Sequence, residues 1–332
     1  MSDGAELWQP LLEIRHRKGS CRMPRNTVAT PRIAAVTTGS PAAGCVACNG
    51  DLTFFGSRRG YHYHRCRACR TIQLAPLPGK EDLEHAYAAE YARSKHIEPD
   101  ADFYQHSSRH YFEAILSIVR RNVSAGRVSE IGAGWGVLAG MLMQAGYDYE
   151  GVELSEEMLD YCVRRGLPVK PGGLHELAGN DRAAIVMTNV FEHLVDHDQW
   201  LHSLAALLPE RGIFITAQPT AHFPALFGTL FRLGIRSLPL PQLHVILTPP
   251  WHTVLFSIRG MRILLARHRF ELIDVQPAPQ QREKGLNGLL QRVLEAVNRV
   301  GWRIASTKWP LVIGHILIFR KMADGSSSNR QG

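Results

Sequence analysis

One eleven-residue stretch, Val128-Ser129-Glu130-Ile131-Gly132-Ala133-Gly134-Trp135-Gly136-Val137-Leu138, constrains the fold more than any other part of this chain. A short apolar strand runs into three glycines at alternate positions. A helical pattern (Leu138, Met141, Leu142, Ala145) follows at once. Glycine there lets the backbone turn sharply and lets a ligand lie against main-chain N–H groups at a helix N-terminus. Seventeen residues after Gly136, the next apolar strand carries an acid, Glu153. A carboxylate at the tip of the second strand of a doubly wound sheet is where two ribose hydroxyls are held.

The spacing separates two kinds of nucleoside ligand. The dinucleotide fingerprint Gly-x-Gly-x-x-Gly cradles a pyrophosphate. Here the spacing is Gly-x-Gly-x-Gly, and Glu130 precedes it at the strand end. An acid at that place repels a pyrophosphate but can pair with the ammonium group of an amino-acid tail. The combination resembles motif I of the class I S-adenosylmethionine-dependent methyltransferases. The resemblance implies S-adenosylmethionine as cofactor, held by Glu130, Gly132, Gly134, Gly136 and Glu153.

From residue 127 onward the pattern alternates strand and helix, as a parallel sheet requires. Strands are predicted at 127–131, 149–154, 167–170, 183–189, 212–217, 270–275 and 311–320. Helices are predicted at 136–145, 155–165, 198–208 and 257–267, and a helical region at 80–122 carries Tyr87, Tyr91, Tyr104, His110 and Tyr111. The expected fold is α/β: a doubly wound, seven-stranded, Rossmann-like methyltransferase sheet with a small N-terminal zinc ribbon. In such a sheet, ligands bind outside the carboxyl ends of the strands. That rule gathers 130–136, Glu153, 172–174, 188–193 and 217–220 around one crevice, adding Leu174 and Asn189 to the cofactor set.

Two C-x2-C pairs, Cys45/Cys48 and Cys66/Cys69, are separated by 17 residues and use four of the six cysteines. The spacing matches a zinc ribbon in which two knuckles supply four thiolates to one structural Zn²⁺. All four positions of such a site are filled, so it folds a segment too small for its own core and does no chemistry. The expected domains are a disordered segment at 1–42, a ribbon at 43–76, a methyltransferase domain at 77–322 and a disordered tail at 323–332. The first segment reads equally as a misassigned start preceding Met23. Within the main domain, 221–256 is an apolar insertion (Phe223, Leu226, Phe227, Leu230, Phe231) read as a lid, with peripheral contact to a membrane as the sharper alternative.

The run Asn189-Val190-Phe191-Glu192-His193-Leu194 resembles the Glu-His-Leu signature of many small-molecule methyltransferases. The later stretch Pro249-Pro250-Trp251-His252-Thr253-Val254-Leu255-Phe256-Ser257, followed by Met261, Leu264, Leu265 and Phe270, is similar to a segment of the same group. The resemblance spans about residues 45–320. It points to zinc-ribbon-bearing bacterial enzymes acting on small molecules, sugars or glycan- and lipid-linked acceptors. His193 and His252 are the candidate bases for a hydroxyl acceptor, since imidazole takes a proton near neutral pH. Each reads alternatively as a histidine that only shapes the pocket.

The net charge of +8 is misleading until it is placed along the chain. The first 70 residues hold eleven Lys/Arg and four acids, so most of the excess sits there, beside the thiolates it would offset. The residues after the fourth strand are not the Asn/Asp-Pro-Pro-aromatic run of base-amine methylation, and no cysteine there suggests a pyrimidine adduct. Nucleic acid is therefore not the expected partner, although an RNA methyltransferase gripping its substrate through the ribbon and its arginines is the runner-up reading. No apolar run approaches the ~20 residues of a membrane-spanning helix, and the N-terminus lacks a secretory pattern, so a cytoplasmic location is expected.

Overall fold

Two sheets carry the chain, and the smaller one is closed by a strand from far along the sequence. Leu52–Arg58 (β1), Tyr61–Cys66 (β2) and Ile72–Leu74 (β3) pair antiparallel, and the two-residue strand Val254–Leu255 (β9) completes the order β1-β2-β3-β9. The larger sheet takes Arg127–Ile131 (β4), Asp148–Glu153 (β5), Val169–Pro171 (β6), Arg182–Thr188 (β7), Ile213–Pro219 (β8), Phe270–Pro277 (β10) and Gly314–Lys321 (β11). Its order is β10-β11-β8-β7-β4-β5-β6. Strands β4 to β8 run parallel, while β11 is antiparallel to both of its neighbours. The seven strands are those the sequence predicts, each displaced by no more than a few residues.

The computed structural model describes residues 44–58, 60–79, 83, 101–228, 246–280 and 285–323. All belong to one unit, Thr38–Gly332. The expected disordered segment at 1–42, Met23, Tyr87 and Tyr91, the middle of the 221–256 insertion and nearly all of the 323–332 tail lie outside the described residues.

The helices are Ala101–Asn122 (α1), Val137–Gln144 (α2), Glu156–Arg164 (α3), His197–Leu207 (α4), His222–Ala225 (α5), Ile258–Arg267 (α6) and Gly285–Ala305 (α7). Three of them start where the sequence supplies a capping oxygen. Ser155 Oγ accepts from Met158 N, Asp196 Oδ1 from Gln199 N, and Ser257 Oγ from Gly260 N. Alternation along β7 shows why a parallel strand reads as a continuous apolar run. Ala184 and Val186 face one core with Leu138, Leu142 and Ile215, while Ile185 and Met187 face another with Leu204, Phe214 and Leu264. The sheet is thus covered on both faces, and its strand ends remain as the place for a ligand.

A boundary at residue 76, expected between a ribbon and a catalytic domain, has no counterpart among the described residues. Strand β3 pairs with β9, and Cys45, Cys66 and Cys69 share a core with Phe256, Met261 and Leu264. The ends of the 221–256 insertion pack into the same region: Ala221, Ile246 and Leu247 are buried beside Phe55, Tyr63, Ile72 and Leu74. Among the described residues no helix is long and apolar enough to cross a membrane. Helix α7 is absent from the sequence expectations. Two interior glycines, Gly288 and Gly301, weaken its helical pattern, and Leu289, Val293, Val300 and Ile304 are exposed while Gln291, Glu295 and Asn298 turn inward.

At the base of the sheet a fully buried Arg182 ties three strands together. Its Nε donates to Ser129 Oγ at 2.8 Å, one terminal nitrogen to Glu150 Oε1 at 2.6 Å, and the rest to the carbonyls of Gly179 and Ala178. Removing one member of a buried pair strands the other charge, at about 3–5 kcal/mol. Arg182→Met should therefore lower unfolding free energy by roughly that amount in denaturant melts, and adding Glu150→Leu should restore a good part of it. A single variant as stable as the parent would show that the network contributes nothing.

Candidate functional site

The loop between β4 and α2 is held open by its partners. Gly132 N and Ala133 N both donate to Val152 O on β5, at 2.9 and 3.1 Å. Gly132 has φ 76°, and a Cβ there would meet Val190 Cγ2 at 2.6 Å. Gly134 has φ 54° but faces open space. Helix α2 begins at Gly136 with no side-chain cap, so its first N–H groups are left for something else. Substitution thus fails in two ways: at Gly132 by collision with Val190 and at Gly136 by collision with Leu167, but at Gly134 by filling the cradle.

Glu153 spans the mouth of this loop. Its Oε2 accepts from Gly134 N and its Oε1 from Ser155 N, both at 2.8 Å. The side chain is 9% exposed, and each carboxylate oxygen retains a lone pair for a further donor. Beneath the loop Glu130 is buried, with Tyr149 donating its hydroxyl to Oε2 at 2.7 Å. Among the described residues Glu130 Oε1 has no hydrogen-bond partner. Burial raises this carboxyl to about 8, the nearby Glu153 adding to the shift and the Tyr149 bond opposing it. A cation beside it would favour the ionised form. Leu174, expected at the cofactor, sits at 3% exposure in the core with Ile131 and Val152, under the strand ends. Asn189 is exposed with φ 52°, its N–H donating to Ala217 O.

The two candidate bases lie together, although 59 residues separate them in sequence. The rings of His193 and His252 stand 5.1 Å apart, edge to face. A third group, which sequence reasoning quoted inside a motif but did not assign, joins them: Glu192. It is fully buried, among the described residues neither carboxylate oxygen has a hydrogen-bond partner, and Oε1 is 3.8 Å from His193 Nε2. Burial raises the Glu192 carboxyl to about 8. Burial also pulls His193 down to about 3, with His252 contributing, and lowers His252. Both imidazoles are therefore neutral near pH 7. The Nδ1 of His252 is bonded to the carbonyl of Ile246. A carbonyl only accepts, so Nδ1 carries the proton and Nε2 the lone pair.

The cysteine-bearing segment fastens this histidine from behind. Tyr63 donates its hydroxyl to the His252 carbonyl at 3.1 Å, Leu74 N donates to Thr253 O at 2.8 Å, and Ser257 Oγ donates to Cys69 O. Thr253 in turn donates through both N–H and Oγ1 to Glu192 O, each at 3.0 Å. The loops carrying His193 and His252 are thereby clamped to each other. Cys45, Cys48, Cys66 and Cys69 place their sulfurs within 4.8 Å of one another. Cys45–Cys69 and Cys48–Cys66 are each 3.5 Å apart. Cys162, outside that set, is a buried residue of α3.

The glycine geometry separates two kinds of damage. Gly132→Ala should lower the melting temperature distinctly, because both a positive φ and the Val190 contact must give way. Gly134→Ala should cost only the local backbone strain, about 1 kcal/mol. Equal destabilisation of the two variants in thermal melts would refute the open cradle.

Residues 103–276, just over half of the 332-residue chain, match the family described as a methyltransferase domain. No curated protein matches the chain. Among solved structures it is similar to the 1,6-didemethyltoxoflavin N1-methyltransferase of Burkholderia thailandensis. There the identity is 14% and the TM-score 0.47, over 82% of this chain and 100% of the other. It is also similar to magnesium protoporphyrin IX methyltransferase of Synechocystis, at 15% identity and TM-score 0.42, over 65% and 84% of the two chains. By its match over residues 103–276, this chain belongs to the methyltransferase-domain family.

Proposed function

We propose that the protein transfers a methyl group from S-adenosylmethionine to a small molecule, sugar or glycan- or lipid-linked acceptor. The observation that carries the cofactor assignment is the Glu153 carboxylate at the mouth of an open glycine loop, with an orphaned, buried Glu130 oxygen beneath it. Glu153 would receive the ribose hydroxyls while keeping the Gly134 and Ser155 amides. Gly134 leaves room for the ligand to lie on the backbone, Gly132 and Gly136 let the loop pass close to Val190 and Leu167, and Glu130 offers its free oxygen to the ammonium group. Leu174 and Asn189 stand at the adjoining strand ends, beneath and beside the nucleoside. Bound there, S-adenosylmethionine supplies a sulfonium methyl open to in-line displacement. His193 and His252 form the acceptor wall. With Nδ1 of His252 held by Ile246 O, Nε2 is its proton-accepting atom.

Zinc belongs to the same proposal. Four thiolates about a zinc ion with bonds near 2.3 Å lie about 3.8 Å apart, close to the 3.5 Å of the two closest sulfur pairs. Cys45, Cys48, Cys66 and Cys69 would hold the ion, which supplies folding energy to β1–β3 and no chemistry. Its effect on the acceptor wall passes through Tyr63, Leu74 and Cys69 to residues 252–257.

Glu153→Ala should weaken S-adenosylmethionine binding about 10- to 100-fold, from the loss of a charge-assisted grip worth roughly 1.5–3 kcal/mol. Calorimetry measures this directly, and an unchanged dissociation constant in a folded variant would sink the ribose assignment. Purified protein should contain one zinc per chain, and Cys66→Ser should lose it. Chelation should leave S-adenosylmethionine affinity nearly unchanged but accelerate amide hydrogen exchange at residues 252–257. If cofactor binding disappears along with the zinc, the ribbon supports the glycine loop as well, and its assignment to the acceptor wall alone is wrong.

A further inference from the structure

The acceptor wall holds an unusual set of groups for a site whose only task is to accept a proton. Glu192 is fully buried, and among the described residues both of its carboxylate oxygens lack a hydrogen-bond partner. Burying a carboxyl without a partner is unfavourable, and native interiors avoid it unless something else occupies the place. Beside it stand two imidazoles. One ligand atom from each of Glu192, His193 and His252 can be chosen so that all three lie within 4.8 Å of one another. Donors bonded to one first-row metal at about 2.0–2.2 Å stand roughly 3–4 Å apart, so a small inward movement of the side chains would close the set.

The orientation of His252 fits the same role. A metal-binding histidine donates its other ring nitrogen to a carbonyl or carboxylate, which fixes the tautomer and the ring plane. His252 does so through Nδ1 to Ile246 O, leaving the Nε2 lone pair free for a ligand. Thr253 then ties the two ligand-bearing loops through both of its bonds to Glu192 O. The backbone is therefore braced by contacts that do not involve the three side-chain heads.

We propose that Glu192, His193 and His252 bind a divalent first-row transition ion, which in turn coordinates an oxygen of the methyl acceptor. Two imidazoles and one carboxylate suit manganese, iron, cobalt or zinc better than magnesium or calcium, which favour oxygen alone. Three protein ligands leave open positions, as in catalytic rather than structural sites. The ligand class they would take is an acceptor with a hydroxyl, or a hydroxyl beside a second oxygen, able to chelate. This role for the ion rests on the methyltransfer reading above. The metal site itself does not, because the three residues would bind an ion whether or not S-adenosylmethionine binds nearby.

The test is a titration with manganese chloride of protein whose zinc content has first been brought to one ion per chain, the amount the four thiolates take, followed by the loss of the free Mn²⁺ electron paramagnetic resonance signal. Manganese prefers oxygen and nitrogen donors and will not displace zinc from four thiolates. One Mn²⁺ per chain should bind. Glu192→Gln, which keeps the shape of the buried side chain, should weaken it at least about 10-fold, and His252→Ala should do the same. Circular dichroism and S-adenosylmethionine calorimetry on the same samples keep the two readings apart. Manganese bound with no cofactor affinity overturns the methyltransfer reading and leaves the metal site standing. Cofactor affinity with no manganese uptake overturns the metal site alone. Uptake that Glu192→Gln leaves unchanged also overturns it, since the ion is then held elsewhere.

Discussion

The carboxylate of Glu153 organises the ligand-binding end of the large sheet. It accepts one N–H from the loop after β4 and one from the start of α3. Two chain segments that would otherwise end in unsatisfied donors are thereby fixed to the same strand tip. This explains why the acid and the glycines must occur together. Gly134 adopts the positive φ that turns its amide to the carboxylate without placing a side chain in the cradle, and without the carboxylate the loop would lose its anchor at the mouth. Glu130 sits below as a second, more deeply buried acid whose environment favours the protonated form until a cation joins it.

The cluster of Glu192, His193 and His252 is shaped by residues from three distant parts of the chain. The buried acid and its histidine neighbour follow β7, His252 precedes β9, and both are locked by Thr253. The small sheet reaches these residues through one main-chain bond, Leu74 N to Thr253 O, and through the hydroxyls of Tyr63 and Ser257. A four-cysteine segment placed here is therefore a brace. It fixes where the β9 backbone lies beside His252.

The large sheet was legible because its central strands are short apolar runs buried on both faces, and those after which the chain turns at Gly132, Ser155 or Gly172 are followed by a glycine or a helix cap. Val128–Ile131 with Gly132 and Ser155 with Glu156 are local signals that need no tertiary context. What escaped is what tertiary contacts decide. Strand β9 is two residues long and exists only because β3 offers it a partner. Helix α7 turns polar residues inward and leaves its valines and isoleucine outside, so its periodicity points to the wrong face. Arg182 reads as a surface charge until Ser129 and Glu150 are seen around it. Glu192 reads as one acid in a familiar tripeptide, and only its burial sets it apart. The boundary drawn at residue 76 followed the cysteine spacing, which says nothing about which strand will cover Ile72 and Leu74.

Tyr63 and His252, which meet through a single hydrogen bond, are 189 residues apart in sequence. A chain emerging from the ribosome completes its cysteine knuckles and β3 long before β9 exists. Until Val254 and Leu255 arrive, β3 has an open hydrogen-bonding edge and exposes Ile72 and Leu74, a combination that invites pairing with other chains. Contacts of such long sequence separation form late, so the cluster of Glu192, His193 and His252 is among the last parts of the molecule to be assembled during synthesis. An N-terminal fragment ending anywhere from residue 137 to residue 253 would carry all four cysteines and the whole glycine loop, yet retain an unpaired edge prone to aggregation.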